Sequence, residues 1–326
     1  MTLSSVAAGR NPHLLAVLCV TGAAAMFSLH DVLIKLLSEG YALHQITFIR
    51  GMVASLVTLL LIIPLDGGYR GLLTPRWRVH LFRVFLVIVA NMSFYAGLAS
   101  LPIGEATAIY FFVPLVITGL SALVLRERVG PRRLAAVLVG FLGVLLVVRP
   151  GADSFQTASL LPLLAALCYG ALQVSTRYIG LSERASIMAF YMQFGFIFFS
   201  ASVGLAFGNG HLAGSSNQSI EFLMRAWMWP APEDWPVLIG LGFIVAFAAF
   251  LASVAYRSAE SAFVAPFEYV AMPLAITFGI LVWGDWPDVL AWIGILLIAA
   301  SGVFVFLREA WIGRRAAGKE PVRPAP

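Results

Sequence analysis

"LLAVLCVTGAAAMFSLHDVLIKLL", residues 14–37, is long and apolar enough to cross a bilayer as one helix, which takes about 20 residues. It also holds His30, Asp31 and Lys35 within six positions. A charge at the bilayer centre costs at least about 2.5–3.5 kcal/mol on insertion scales, so each such group needs a partner, water or a role. The fold follows from reading this stretch as a membrane span, and the function from what keeps its charges there.

The surrounding composition agrees with a span. The chain has 326 residues, 60% hydrophobic and 11% charged, against about 45–50% and 25% for soluble domains. No soluble core of this size could hide so much apolar surface. The net charge of +5 does not point to nucleic acid, because the basic residues sit in short connections between apolar runs. Cys19 and Cys168 both fall inside expected spans, in no metal or disulfide spacing. Arg10, the run from Leu14 and the alanines at 23–25 mimic a cleavable signal peptide, but the run continues well past the alanines.

Ten segments reach span length: 14–37, 44–64, 79–100, 104–125, 132–149, 158–179, 186–206, 236–257, 261–283 and 288–308. Short connections predict antiparallel neighbours, and no alternating ten-residue pattern of a membrane barrel occurs. With the N terminus inside, every lysine and arginine except Lys35, Arg50, Arg149 and Arg225 falls on the cytoplasmic side, counting Arg83 with the loop before it. Both termini are therefore expected in the cytoplasm. The one long outer loop, 207–235, reads as a flexible tip, "NGHLAGSSNQS", followed by Trp227, Trp229 and Trp235. Those tryptophans suit an interfacial anchor or, alternatively, a lid over an entrance. The basic, Pro/Ala-rich end of the tail 309–326 is expected to be disordered.

The halves repeat weakly. Shifted by 142, Phe27 meets Tyr169, Asp31 meets Gln173 and Lys35 meets Arg177; shifted by 159, Tyr110 meets Tyr269 and Pro114 meets Pro273. Five spans per half make the second copy inverted, a transporter architecture with its site near the midplane. The stretches "VPLVITGLSALVLRERVGPRRLAAVLVGFLGVLLVVRPG" (113–151) and "APFEYVAMPLAITFGILVWGDWPDVLAWIGILLIAASGVFVFLRE" (265–309) share a proline, small residues, an acidic residue (Glu127, Asp285) and a glycine-marked last helix. The sequence here resembles the EamA-type carriers of the drug/metabolite transporter superfamily, over about 14–308. The resemblance implies ten helices, a cavity between the halves and alternating access. It also implies cargo such as amino acids, nucleoside-like compounds, vitamins, polyamines or drugs.

The expected architecture is thus an all-α integral membrane protein with ten transmembrane helices in two inverted five-helix repeats. Its parts are a cytoplasmic segment 1–13, repeats 14–151 and 152–308, and the tail 309–326, in a bacterial-type inner membrane.

Helix arithmetic places the polar groups. Asp31 lies about 9 Å outward of the first span's centre and Arg50 about 9 Å inward of the second span's outer end. They share a level on adjacent antiparallel helices, with His30 beside them and Glu105 near the same side. Lys35 shares Asp31's face one turn further out and is expected to snorkel. Either Asp31 pairs with Lys35 or Arg50 to lock two helices, or the cluster lines the pathway, binding an anion through Arg50 or relaying protons through Asp31 and His30. Glu268 has no cation within a turn. It is either a coupling or cation-binding carboxylate, or is held by a hydroxyl such as Tyr269. Asn91, Tyr95, Tyr110 and Gln173 suit a cavity for a flat, partly polar solute. Pro114 and Pro273 are hinge candidates.

The expected function is carriage of a small organic metabolite or drug-like solute. A membrane-embedded enzyme or a non-transporting receptor is the alternative, though no P-loop, HExxH or GxSxG motif occurs. The partners are solute and membrane lipid, with proton coupling and a homodimer left open. No catalytic residue, cofactor, metal or nucleic acid is expected.

Overall fold

The computed structural model describes residues 12–70, 72–126, 130–148, 156–179 and 183–317. Residues 1–11, Glu127 and residues 318–326, on which some of the expectations above fall, lie outside them. The described residues are helical, with no strand.

The first half runs α1 (Pro12–Leu37), α2 (Leu43–Val57, extended by a π segment Thr58–Ile62 and a last turn Ile63–Leu65), α3 (Trp77–Ser100), α4 (Ile103–Tyr110), α5 (Val113–Val124) and α6 (Pro131–Val148). The second runs α7 (Leu160–Ile179), α8 (Ala185–Phe207), α9 (Gln218–Met224), α10 (Trp235–Ser258), α11 (Ser261–Val264), a 3₁₀ segment Ala265–Val270, α12 (Ala271–Phe278, extended by a π segment Gly279–Trp283) and α13 (Val289–Ala317). Among the described residues, seven helices are long and apolar enough to cross a membrane: His13–Leu37, Leu43–Leu65, Trp77–Ser100, Ile103–Val124 (across the α4–α5 break), Thr157–Ile179, Ala185–Phe207 and Trp235–Ser258. Shorter apolar helices at Leu134–Val147, Ala271–Trp283 and Val289–Ser301 occupy three of the expected spans.

Two expected spans are broken, each by its proline. Proline lacks an N–H, and its ring clashes with the carbonyl four residues back. Four residues before Pro114 is Tyr110, where α4 ends. The chain tightens there, the Phe112 amide donating to the Ile109 carbonyl at 3.1 Å, and α5 restarts with the proline in its first turn. Four residues before Pro273 is Tyr269, at the end of the 3₁₀ segment, and α12 restarts at Ala271.

Helix α1 packs along α10, α3 along α7, α6 along α13, and α2 against both α8 and α10. Bulky apolar side chains such as Leu18, Leu60, Phe85, Phe198 and Leu205 face outward, as a helical bundle in lipid requires.

The long segment 207–235 turns helical at the end of the expected tip. It carries α9, whose first turn is capped by the Asn217 side chain accepting from the Ile220 amide at 3.2 Å. The Glu221 carboxylate accepts from the amides of Gly214 (2.7 Å) and Ser215 (3.1 Å). The segment is tied to the bundle by Arg225 on the Ser38 carbonyl, Ala231 on Tyr41, and a two-way pairing of the Gln45 amide with Met228. Its tryptophans divide. Trp229 is 85% exposed beside Trp235. Trp227 instead turns inward, onto His44 and Phe48. The tail also differs: α13 runs to Ala317 rather than stopping at 308, as its Glu, Arg and Ala residues favour.

Candidate functional site

The helices enclose a cavity near the middle of the bundle, with about 130 Å³ open to water centres, enough for a cluster of waters. Its walls are aromatic and small: Phe27, Phe94, Tyr110, Tyr169 and Phe196, with Ala23, Ala24 and Ala249. Its charged groups are Asp31, Arg50, Arg83 and Glu268. Helices α6 and α13 contribute nothing to the lining.

Arg50 is 1% exposed and does not form with Asp31 the ion pair that was one of the two alternatives. It bonds to neutral acceptors: Nη1 lies 2.6 Å from His30 Nε2 and Nη2 donates to Asn91 Oδ1 at 2.7 Å. The rings of Tyr95 and Phe196 lie 5.7 and 5.1 Å from its guanidinium. Guanidinium nitrogens only donate, so Nε2 of His30 accepts and the ring proton sits on Nδ1. That proton faces Tyr95 Oη at 3.0 Å and Asp31 Oδ1 at 3.5 Å, while the Tyr95 hydroxyl donates to Asp31 Oδ1 at 2.9 Å. Helix phase explains the separation: adjacent positions lie about 100° apart, so His30 faces Arg50 while Asp31 turns toward the cavity. Residues from α1, α2 and α3 thus form one continuous polar chain, Asn91–Arg50–His30–Tyr95–Asp31.

Lys35 does not join it. Its ammonium donates to the Leu101 carbonyl at 2.7 Å, at the end of α3, and lies 5.0 Å from the Trp283 ring centre. The partners found for it are thus a helix-end carbonyl and an indole ring of the protein itself.

Glu268 accepts from the Tyr256 hydroxyl at 2.9 Å. The hydroxyl expected for it was that of Tyr269, whose side chain lies outside the described residues. Tyr110 is sandwiched between Phe94 (4.9 Å) and Tyr169 (5.7 Å), and Gln173 is a buried part of the lining. Pro114 is buried and Pro273 exposed; neither lines the cavity. So the cavity brings together Asp31, Arg50, Asn91, Tyr95, Tyr110, Gln173 and Glu268, with His30 directly behind.

Sequence reasoning missed Arg83, which it counted with the cytoplasmic loop. The structure places it 1% exposed inside α3 and on the cavity. The signal was present: Arg83, Val87, Ala90, Asn91 and Phe94 recur at helical spacing on one face. Tyr256 was also missed, because only tertiary packing sets α10 beside the 3₁₀ segment.

The known proteins similar to this chain are consistent among themselves. Residues 14–149 match the model of the EamA-like transporter family. A riboflavin transporter of Vibrio cholerae is 30% identical over 76% of this chain and 78% of its own length. An S-adenosylmethionine uptake transporter of Rickettsia prowazekii is 24% identical over 86% of this chain and 89% of its own. A solved crystal structure, 18% identical, superposes with a TM-score of 0.69 over 90% of this chain and 96% of that one, a likeness of fold.

Proposed function

This chain belongs to the EamA-like transporter family of the drug/metabolite transporters, a multi-pass membrane carrier of small metabolites and not an enzyme; from that premise we propose that its cargo is a flat heteroaromatic metabolite, vitamin- or nucleoside-like, held in the central cavity. The observation that carries this is the lining itself. Aromatic side chains tilted against one another form much of the walls, and a few polar groups (the Arg50 chain, Gln173, Glu268) stand among them. Ligand sites are built this way, apolar for affinity and sparsely polar for orientation. The cargo named for the two relatives fits that shape class.

Alternating access of two inverted five-helix repeats, 14–151 and 152–308, is the mechanism in this reading. The three shorter apolar helices added to the seven long ones give ten. Two further observations support it. Exchanging first half for second turns the α1–α10 packing into the α7–α3 packing and returns α2–α8 and α6–α13 to themselves. The last-turn cations follow the same exchange: Lys35 of α1 donates to Leu101 at the end of α3, and Arg177 of α7 donates to the Arg257 carbonyl at the end of α10. Each serves carbonyls that a helix end leaves unpaired. Pro114 and Pro273, restarting broken helices at equivalent points, are the hinges. The inner membrane and cytoplasmic termini follow from the arginine distribution. The Asp31–Tyr95–His30 chain would carry the coupling proton.

Counterflow in proteoliposomes tests the cargo. Radiolabelled riboflavin and S-adenosylmethionine are offered against a panel of non-aromatic amino acids and polyamines. Saturable exchange of an aromatic solute is expected, abolished by Ala249→Trp, which fills the cavity. Exchange confined to non-aromatic solutes would refute the proposal.

A further inference from the structure

Buried charges in proteins are normally paired. Among the charged groups that the described residues bring to the cavity, three have short hydrogen bonds to neutral partners. Asp31 has the Tyr95 hydroxyl, Glu268 has that of Tyr256, and Arg50 has two short bonds to His30 and Asn91.

Arg83 is the exception. Its one good hydrogen bond goes to Thr176 Oγ1 at 3.0 Å, a hydroxyl that itself donates to the Leu172 carbonyl. Its other contacts are loose: His80 Nδ1 at 3.5 Å and Met192 Sδ at 3.9 Å. Nε has no partner. Among the described residues no carboxylate oxygen lies within 4 Å of it. Glu183 acts on it from further away, its own carboxylate engaged by the Thr74 hydroxyl.

We infer that Arg83, with Thr176 beside it, is an anion subsite of the cavity, taking the carboxylate or phosphate of the solute. The guanidinium presents a planar fork of donors matched to either oxyanion. Bonding one would give a nearly fully buried cation a counter-charge in direct contact, where Glu183 acts only from further away. Arg83 stands on α3 eight residues, about two turns, before Asn91, where Arg50 is anchored. Arg83 and the aromatic walls line the same cavity, so an acidic group on Arg83 would orient the ring system attached to it. This rests on the cavity being the solute's site. It narrows the cargo from heteroaromatic metabolites in general to those bearing an acid group.

Matched probes test it on detergent-purified full-length protein by equilibrium binding. Indole-3-acetate is compared with its neutral isostere indole-3-acetamide, and phenyl phosphate with phenol. We expect at least tenfold tighter binding of one or both anions than of their neutral partners. Arg83→Gln should abolish that preference and Arg83→Lys should keep part of it; the better of the two anions identifies the oxyanion. The proposal is overturned if the wild type shows no anion preference, whether both members of a pair bind alike or neither binds. It is equally overturned if the preference survives in folded Arg83→Gln protein. Ala249→Trp separates the two readings. If the filled cavity leaves binding intact, the cavity is not the solute's site. If filling removes binding but the Arg83 result fails, the cavity reading stands and the anion subsite falls.

Discussion

Replacing a helical glycine by alanine should have opposite effects at different glycines of this protein. Where α6 crosses α13, a Cβ on Gly143 would lie 2.6 Å from the Gly294 carbonyl oxygen, and a Cβ on Gly294 would lie 2.6 Å from that of Gly143. Ordinary contact begins near 3.4 Å, so the backbones would have to part by about 0.8 Å in an interior packed at crystal-like density. Small residues let membrane helices approach this closely. Overpacking of this kind costs about 1–3 kcal/mol. Against it stands the gain from removing a glycine from a helix, about 0.5–1 kcal/mol. Gly143→Ala and Gly294→Ala should therefore each destabilise by about 0–2.5 kcal/mol, centred on about 1 kcal/mol. A Cβ on Gly240 of α10 would have nothing within 4 Å, so Gly240→Ala should keep the gain alone. The assay is thermal unfolding of purified protein in one detergent. Two variants should melt below wild type and one at or above it. If Gly143→Ala and Gly294→Ala melt at or above wild type, the close crossing of α6 and α13 is wrong. Since neither helix lines the cavity, the folded fraction should keep its solute preference.

Other outcomes follow from the same geometry. Arg50→Ala and Asn91→Ala should each lower counterflow at least tenfold while the protein still elutes as a folded species; normal flux in both would remove the polar chain from the pathway. Asp31→Asn keeps an acceptor for the Tyr95 hydroxyl and removes the charge, so it should abolish any pH-gradient-driven uptake but spare counterflow; unchanged gradient-driven uptake would exclude Asp31 from coupling. Trp227→Ala should destabilise by about 2–4 kcal/mol, since its ring packs on His44 and Phe48, whereas exposed Trp229→Ala should change detergent stability by less than about 0.5 kcal/mol; equal melting temperatures would refute the distinction. The Glu221 carboxylate is held below its ordinary pKa of 4.5, chiefly by the Gly214 amide and then by that of Ser215. A depressed folded pKa means that its contribution is present above 4.5 and is lost as pH falls through the lower folded value. Hydrogen exchange at Gly214 and Ser215 should accelerate only below about pH 4.5; an unchanged rate there would show that the carboxylate does not hold the loop.

The sequence by itself settled what depends on local physics. Runs of about 20 apolar residues announce spans because lipid offers the backbone no partners. Pro114 and Pro273 were legible as break points for the same reason, each lacking an N–H. Asp31 and Arg50 could be set at one depth from the rise per residue alone.

Depth, however, does not say which side chains meet. Only the tertiary structure gave Arg50 to His30 and Asn91, and Asp31 to Tyr95, because a helix's rotation about its axis is set by the helices packed on it. The same rotation carried Arg83 from an assumed loop position onto the cavity. It also turned Trp227 inward while Trp229 stayed out. Hydropathy measures how well a segment suits lipid. Which of its charged groups face one another is decided by packing among helices that lie far apart in the chain.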